Sequence, residues 1–355
     1  MTIMWLNLSV VYFFSLLSRY FSNRNLDDYR TIQPNKLLAF LVIASLVIVS
    51  GLRKNIGDTY FYMHSYKVKN ITWDDIDFTG DFGFNILQMY LQKISADPQI
   101  LIFTTALITN ILIISVLFKY SRMFEIAVFV YITSGMFTTS MNGVRQYLAA
   151  AIVFMAIKYI LNGNFLKYAL IILIASSIHQ SALVMLLIYP LVRRKAWTKV
   201  TFSLLGLSVL IVVGFNFFSE FLFSALDGTQ YGHYRDFDEG GASKIRIIVN
   251  AAPVFIAFLG RNKLRELWPK SDIVVNLAII SIVFMIISSQ NWIFARFNIY
   301  FGLYNVILIS WIVTLFKEKN QRLVYYGILI SYLIYFYFEQ VISLNIIYIS
   351  DYLRI

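Results

Sequence analysis

The sequence predicts an all-α, polytopic integral membrane protein, and three observations carry that reading. Of its 355 residues, 59% are hydrophobic and 14% charged, against about a quarter charged in a soluble globule. Apolar runs of nearly membrane length recur along the chain, near 3–20, 36–52, 99–118, 123–140, 144–161, 201–223, 247–260, 272–289, 293–316 and 322–341; a crossing helix takes ~20 such residues. Basic residues also concentrate on alternate loops, the signature of cytoplasmic loops in a multi-pass chain.

Taken in order, the first run has no basic region ahead of it and no small-residue cleavage site, so it reads as a retained span and not a leader. The second run leads into a long loop, 53–98, placed outside. Trp73 and Phe82-Gly83-Phe84 suit a stretch of that loop lying along the interface, where amphipathic aromatics settle. Three more spans follow. Residues 165–192 are apolar, yet Lys167 stands at one end, Arg193-Arg194-Lys195 at the other, and His179-Gln180 in the middle. A single crossing here would put Arg261, Lys263, Arg265 and Lys270 outside, against the preference of positive residues for the cytoplasm. A turn at 176–181 restores it. Each arm is then ~12 to 14 residues, roughly 18 to 21 Å, and His179 sits at a hairpin tip below the outer surface. The expectation is about ten full spans plus this short hairpin, twelve membrane segments in a single transmembrane domain, 1–355. The second outer loop, 224–246, holds Tyr231, His233, Tyr234, Asp236, Asp238 and Glu239 beside Gly240-Gly241, and reads either as a cover over a site or as a plain connector.

Composition also excludes. There is no cysteine, which removes disulfides, thiolate metal sites and cysteine nucleophiles. On this topology most of the 30 Lys and Arg but few of the 19 Asp and Glu face the cytoplasm, so the net charge of +11 needs no nucleic acid. No phosphate-cradling glycine loop or zinc spacing occurs, and Asp74-Asp75-Ile76-Asp77 reads as an exposed acidic loop. Neither metal nor cofactor is expected.

The polar residues that stand out gather at one level. Arg53 and Asp58 follow the second span, Asn142, Arg145 and Gln146 open the fifth, His179 lies at the hairpin tip, and Arg246 and Arg296 open later spans. An ionisable group at membrane depth costs several kcal/mol unless it faces protein or water, and so marks a candidate site. Asn142 and Arg145, three apart, share the first turn of a helix, whose N–H groups and a guanidinium suit phosphate. For Arg53 and Arg246 the other reading is snorkelling to headgroups; for His179, a turn fixed by the hydroxyls of Ser176, Ser177 and Ser181; for Asp58, a helix cap. Arginines, one histidine and one carboxylate on the outer side fit a lipid that carries phosphate, such as a polyprenyl-diphosphate sugar. Its diphosphate leaves when its charge is neutralised, and Asp58 or His179 takes the acceptor hydroxyl's proton.

Gly51-Leu52-Arg53 with Gly57-Asp58-Thr59-Tyr60, then Met141-Asn142-Gly143-Val144-Arg145-Gln146, then Ile178-His179-Gln180-Ser181-Ala182-Leu183 ahead of Tyr189-Pro190, and Arg296 before Tyr300-Phe301, occur in an order and spacing that resemble the EpsG family of bacterial exopolysaccharide proteins. The resemblance implies a GT-C-like or O-antigen-polymerase-like architecture in the bacterial cytoplasmic membrane, with the active site on the extracytoplasmic side. It implies a Wzy-type polymerase, a glycosyltransferase that moves a growing glycan from undecaprenyl diphosphate onto a lipid-linked repeat unit. On that reading Arg145 and Arg296 hold the donor diphosphate and Arg53 or Arg246 clamps it further. Asn142, Gln146 and Tyr60 contact substrate, and Asp58 or His179 is the base. The partners implied are undecaprenyl-diphosphate-linked oligosaccharide, membrane lipids, and the flippase and chain-length regulator of the same pathway. Gly80-Asp81-Phe82-Gly83-Phe84 departs from the family pattern, which has a glutamate ahead of the glycine and aromatic, so Asp81 is assigned no role. Two other classes stay open from sequence: a flippase or transporter of lipid-linked oligosaccharide, and a membrane O-acyltransferase acting on surface glycan.

Overall fold

The computed structural model describes residues 1–24, 32–224 and 240–353. The polar and aromatic residues of the second loop from Tyr231 to Glu239 lie outside the described residues. The described chain is helical apart from one antiparallel pair, Asn23–Arg24 with Ile32–Gln33. It divides into two compact units, residues 1–189 with 309–355, and residues 190–308.

In the first unit, α1 (Thr2–Tyr20) packs on α2 (Lys36–Gly51). Asn35 starts α2 by accepting the amides of Leu37 and Leu38 at 3.0 and 3.2 Å, as a helix cap does. Two short amphipathic helices follow, α3 (Thr59–Val68) and α4 (Phe82–Ile94). Between them Thr72 and Asp75 form a capping box, and Asp77 accepts the Thr79 amide and hydroxyl, so these loop carboxylates are occupied in turns. The central α5 (Gln99–Tyr120) contacts α2 and α8 (Val144–Met155). Preceding α8 are α6 (Phe124–Thr133) and α7 (Met136–Asn142), bent by 52° from each other; after it comes α9 (Ile157–Asn162).

The expected hairpin is present. α10 (Phe165–Ile178) stops where His179 turns extended, and a 3₁₀ turn, Gln180–Leu183, leads into α11 (Val184–Val192). The arms lie against each other, with the Tyr168 hydroxyl donating to the Met185 carbonyl at 2.9 Å and its ring 5.1 Å from that of Tyr189.

The second unit holds α12 (Lys199–Val213), α13 (Phe215–Ser224), α14 (Lys244–Leu259), α15 (Arg261–Leu267) and α16 (Ser271–Ile287). Both α12 and α14 pack on α16. Asn276 donates to the Val192 and Arg194 carbonyls, and Arg265 holds Asp272 through Nε at 3.0 Å. The chain then enters α17 (Asn298–Leu315) and α18 (Glu318–Phe336), which continues into a π-helical turn, Tyr337–Ser343. The segment beyond is laced to the end of α2 by bonds donated from Tyr348 to Val49, from Ser350 to Leu52, and from the Ile349 amide to Asn55 Oδ1.

Among the described residues, four helices are long and apolar enough to cross a membrane, namely α1, α5, the run Val144–Asn162 and α17. Counting each bent pair, α6 with α7 and α14 with α15, as one span gives up to six. Apolarity along the sequence outlasts helix continuity. The run near 201–223, for example, is divided at Gly214 into helices of 15 and 10 residues.

Candidate functional site

Five helices of the first unit converge on one cluster. Buried Tyr66, Phe84, Leu91, Leu101 and Val144, drawn from α3, α4, α5 and α8, form an apolar floor onto which Tyr62 and Ile178 also pack. The start of α4 lies hard against the end of α10, because Gly83 faces Ser177 so closely that a Cβ there would sit 2.4 Å from its Oγ. That approach carries Asp81, the residue preceding α4, to the hairpin tip.

Asp81 is the centre of the site. One carboxylate oxygen, Oδ2, meets Nδ1 of His179 at 3.0 Å and Nη1 of Arg145 at 3.1 Å; the other, Oδ1, accepts the Gln180 amide at 3.0 Å. Both Asp81 and His179 are enclosed, with side chains 9% and 7% exposed, while Arg145 remains 39% exposed. Beside a carboxylate, Nδ1 of the imidazole is the donor, which makes Nε2 the basic nitrogen. Burial pushes the Asp81 carboxyl up, but the hydrogen bond and charge of His179, the Gln180 amide and the charge of Arg145 outweigh it and hold the group below its ordinary range. Arg145 also donates from Nε to the Tyr62 hydroxyl at 3.2 Å and sits 5.8 Å from the Tyr62 and Phe84 ring centres. Its Nη2 makes no hydrogen bond among the described residues. A guanidinium held through Nε and Nη1, with Nη2 left over, is suited to an anion.

Ser176 and Ser177 hand their hydroxyls to carbonyls of their own helix, Leu173 and Ile174, while Asp81 holds the histidine ring at Nδ1. Asp58 is exposed, precedes α3, and lies within electrostatic range of Arg145. Its amide donates to Asn142 Oδ1 at 3.0 Å. Asn142 in turn packs on Gly57, whose φ of +53° belongs to the left-handed region and whose added Cβ would lie 1.9 Å from Asn142 Oδ1. Gly57→Ala is therefore expected to destabilise the fold by roughly 1–3 kcal/mol. Thermal unfolding of the purified protein should recover part of the loss when Asn142→Ala removes Oδ1 and Cγ, the remainder being backbone strain and the Asn142 Cβ, 2.6 Å from the added methyl.

Residues 36–352 match the model of the EpsG family. The chain belongs to the EpsG family. No curated protein and no solved structure matches it. Membership places it among exopolysaccharide biosynthesis proteins, and the matched range includes every residue of the cluster.

Within this EpsG protein the residues singled out from sequence separate into groups. Arg145 and His179 come together, and Asn142 and Asp58 flank them. Tyr60 is exposed on α3, its ring stacked on His64. Gln146 is 5% exposed and lies inside the helix packing. Arg53, expected as a second clamp on the donor, is 2% exposed, and each of its three guanidinium nitrogens donates within the fold. Nε donates to Thr59 at 2.9 Å, Nη2 to the Met141 carbonyl at 2.8 Å, and Nη1 to the Ser50 carbonyl. That correction has a physical reason, since a guanidinium buried at 2% exposure and bonded through all three nitrogens is held by the fold and not presented to a ligand outside it. It ties the end of α2 to the end of α7. Arg246 and Arg296 belong to the second unit. There Ala242 and Trp292 donate to the Ser288 and Gly240 carbonyls, which brings the start of α14 and the 3₁₀ turn Trp292–Arg296 to one end of that unit. Arg296 lies 5.0 Å from the Trp292 ring. Asp81 is the residue that sequence reasoning missed, together with its neighbour Tyr62. The available signal was an aspartate directly before a helix and two residues ahead of a glycine.

Proposed function

We propose that this protein is the polymerase of an exopolysaccharide or O-antigen pathway, a glycosyltransferase acting at the extracytoplasmic face of the bacterial cytoplasmic membrane. The observation that carries the proposal is the Asp81 carboxylate shared by a histidine and a partly exposed arginine. Further support comes from family membership and from the charge pattern of the loops, which assigns the hairpin tip to the outer side. The twelve-segment arrangement, ten spans and the hairpin, belongs to this proposal.

In the reaction the donor is the growing glycan on undecaprenyl diphosphate, and the acceptor is a sugar hydroxyl of the next lipid-linked repeat unit. His179 accepts the hydroxyl proton at Nε2, with Asp81 holding the ring and stabilising the imidazolium that forms. The acceptor oxygen bonds to the anomeric carbon while the bond from that carbon to the diphosphate oxygen breaks. Undecaprenyl diphosphate leaves with the electron pair, its growing charge met by Arg145. Asp81 is thus a positioning residue, and His179 and Arg145 act on the substrates. Asp58 and Tyr60, exposed beside the cluster, line the approach. The energy resides in the carrier bond, so no nucleotide or metal is required.

Deletion of the gene, followed by gel analysis of surface polysaccharide, tests the reading. A ladder collapsed to a single repeat supports it; loss of all exported repeats would make the protein a flippase, and a normal ladder lacking acetyl groups an acyltransferase. In the complemented strain Arg145→Lys is expected to lose most polymerisation, because a point charge does not reproduce a planar fork. Chain lengths near normal in that variant would remove the clamp from the mechanism.

A further inference from the structure

The first unit carries a cavity at the opposite end from Asp81. α5 fixes the geometry. Its first residue, Gln99, donates to the Gly51 and Arg53 carbonyls beside the site. Its last, Tyr120, accepts the Trp311 indole N–H at 3.1 Å. Twenty-two residues separate these ends, roughly 33 Å at 1.5 Å per residue, about the thickness of a bilayer's hydrocarbon core. At the Tyr120 end, the last turn of α1, the residue before α6, the end of α17 and the start of α18 surround a cavity of about 370 Å³.

Its lining is mixed. Leu16, Met123 and Val313 supply its apolar lining, and Arg19, Gln321 and Arg322 its polar lining, together with the hydroxyl-bearing rings of Tyr12 and Tyr325. Those two hydroxyls are 2.9 Å apart and hydrogen-bonded. Arg19 reaches behind the cavity to fully buried Glu125, so one of the two positive charges is offset. Arg322 is not offset. It is exposed, 5.9 Å from the Tyr326 ring, and among the described residues makes no hydrogen bond or ion pair. One net positive charge therefore lies over an amphipathic cavity at the ends of membrane-length helices.

We propose that this cavity is a separate binding site for the phosphate headgroup of a membrane phospholipid. Arg322 and Arg19 take the phosphate, and the apolar lining takes the first segment of the acyl chains. An anion of this kind matches the charge, and the apolar lining favours a lipid over free phosphate. The site does not depend on the reaction assigned to Asp81.

Native mass spectrometry of the purified full-length protein in detergent tests it, with dioleoylphosphatidylglycerol, dioleoylglycerol and inorganic phosphate as probes. Phosphatidylglycerol is expected to bind at least about tenfold more tightly than dioleoylglycerol, and Arg322→Gln to weaken it by a similar factor, the effect of losing one charge-assisted contact. Arg322 is exposed, so the thermal midpoint should not move. Because Arg19→Gln alone would strand buried Glu125, the paired variant Arg19→Gln/Glu125→Gln serves as the second probe and should weaken binding further when combined with Arg322→Gln. Arg145→Gln, at the other end, should leave this binding unchanged. Equal binding of dioleoylglycerol, displacement of the lipid by millimolar phosphate, or wild-type affinity in the Arg322 variant would each overturn the proposal.

Discussion

Asp81→Asn is expected to stop chain growth, with transfer falling by roughly 100- to 10,000-fold while the protein still accumulates in the membrane. Asparagine has nearly the same shape, and its side-chain oxygen can still accept the Gln180 amide. It removes the charge that His179 and Arg145 share at 3.0 and 3.1 Å, and with it the preference for a proton on Nδ1. The arginine loses its anchor and the histidine its tautomer. The measurement is the polysaccharide ladder of a deletion strain carrying the variant, normalised to membrane protein level. A full-length ladder would show that the carboxylate has no part in the reaction. The same variant reports on pH. Asp81 titrates below its ordinary value of 3.8 in the folded protein, so its stabilisation is complete above that value and is lost as pH falls through the lowered one. The difference in thermal midpoint between wild type and Asp81→Asn should therefore hold steady across neutral and mildly acidic conditions and shrink only below about pH 4. A difference already gone at neutral pH would mean that the carboxylate does not hold the cluster.

Arg53→Ala is expected to act on the fold, with a loss of roughly 3–5 kcal/mol. The Ser50 and Met141 carbonyls and the Thr59 hydroxyl would each lose a donor in a buried place, and the space of a long side chain would be left unfilled. Unfolding of the detergent-purified protein, or its failure to accumulate, is the readout. Arg145→Ala provides the contrast. Its guanidinium is 39% exposed, so its removal should cost activity far more than stability. If Arg53→Ala melts like wild type yet makes only short chains, Arg53 belongs with the substrate after all.

Much of the fold could be read from the sequence because a membrane imposes a simple rule. Apolar runs of about 20 residues become helices, since a helix satisfies its whole backbone within one segment and without water, and loop charge orients them. The hairpin at 165–192 followed from where later arginines would otherwise fall, and Tyr168 now lies against Met185 and Tyr189. Less legible was where an apolar run stops being one helix. Gly214 and the bend between α6 and α7 depend on local backbone choices that hydropathy does not record.

The site divides along the same line. Arg145 and His179 drew attention because a charged or titratable group at membrane depth is costly wherever it lies. Arg53 drew attention for the same reason, yet it serves the fold. Cost alone does not say whether a guanidinium meets protein carbonyls or a ligand. Asp81 sits in a loop, where a carboxylate costs nothing and so leaves no mark in the sequence. Its importance comes from partners 64 and 98 residues away, brought to it by a close approach of α4 and α10 at Gly83 and Ser177. Residue chemistry and its membrane surroundings were thus fixed by the chain itself, through the free energy of burying polar groups. Which groups share a proton or a charge was decided by tertiary packing, because hydrogen bonds act over about 3 Å and sequence separation says nothing at that range.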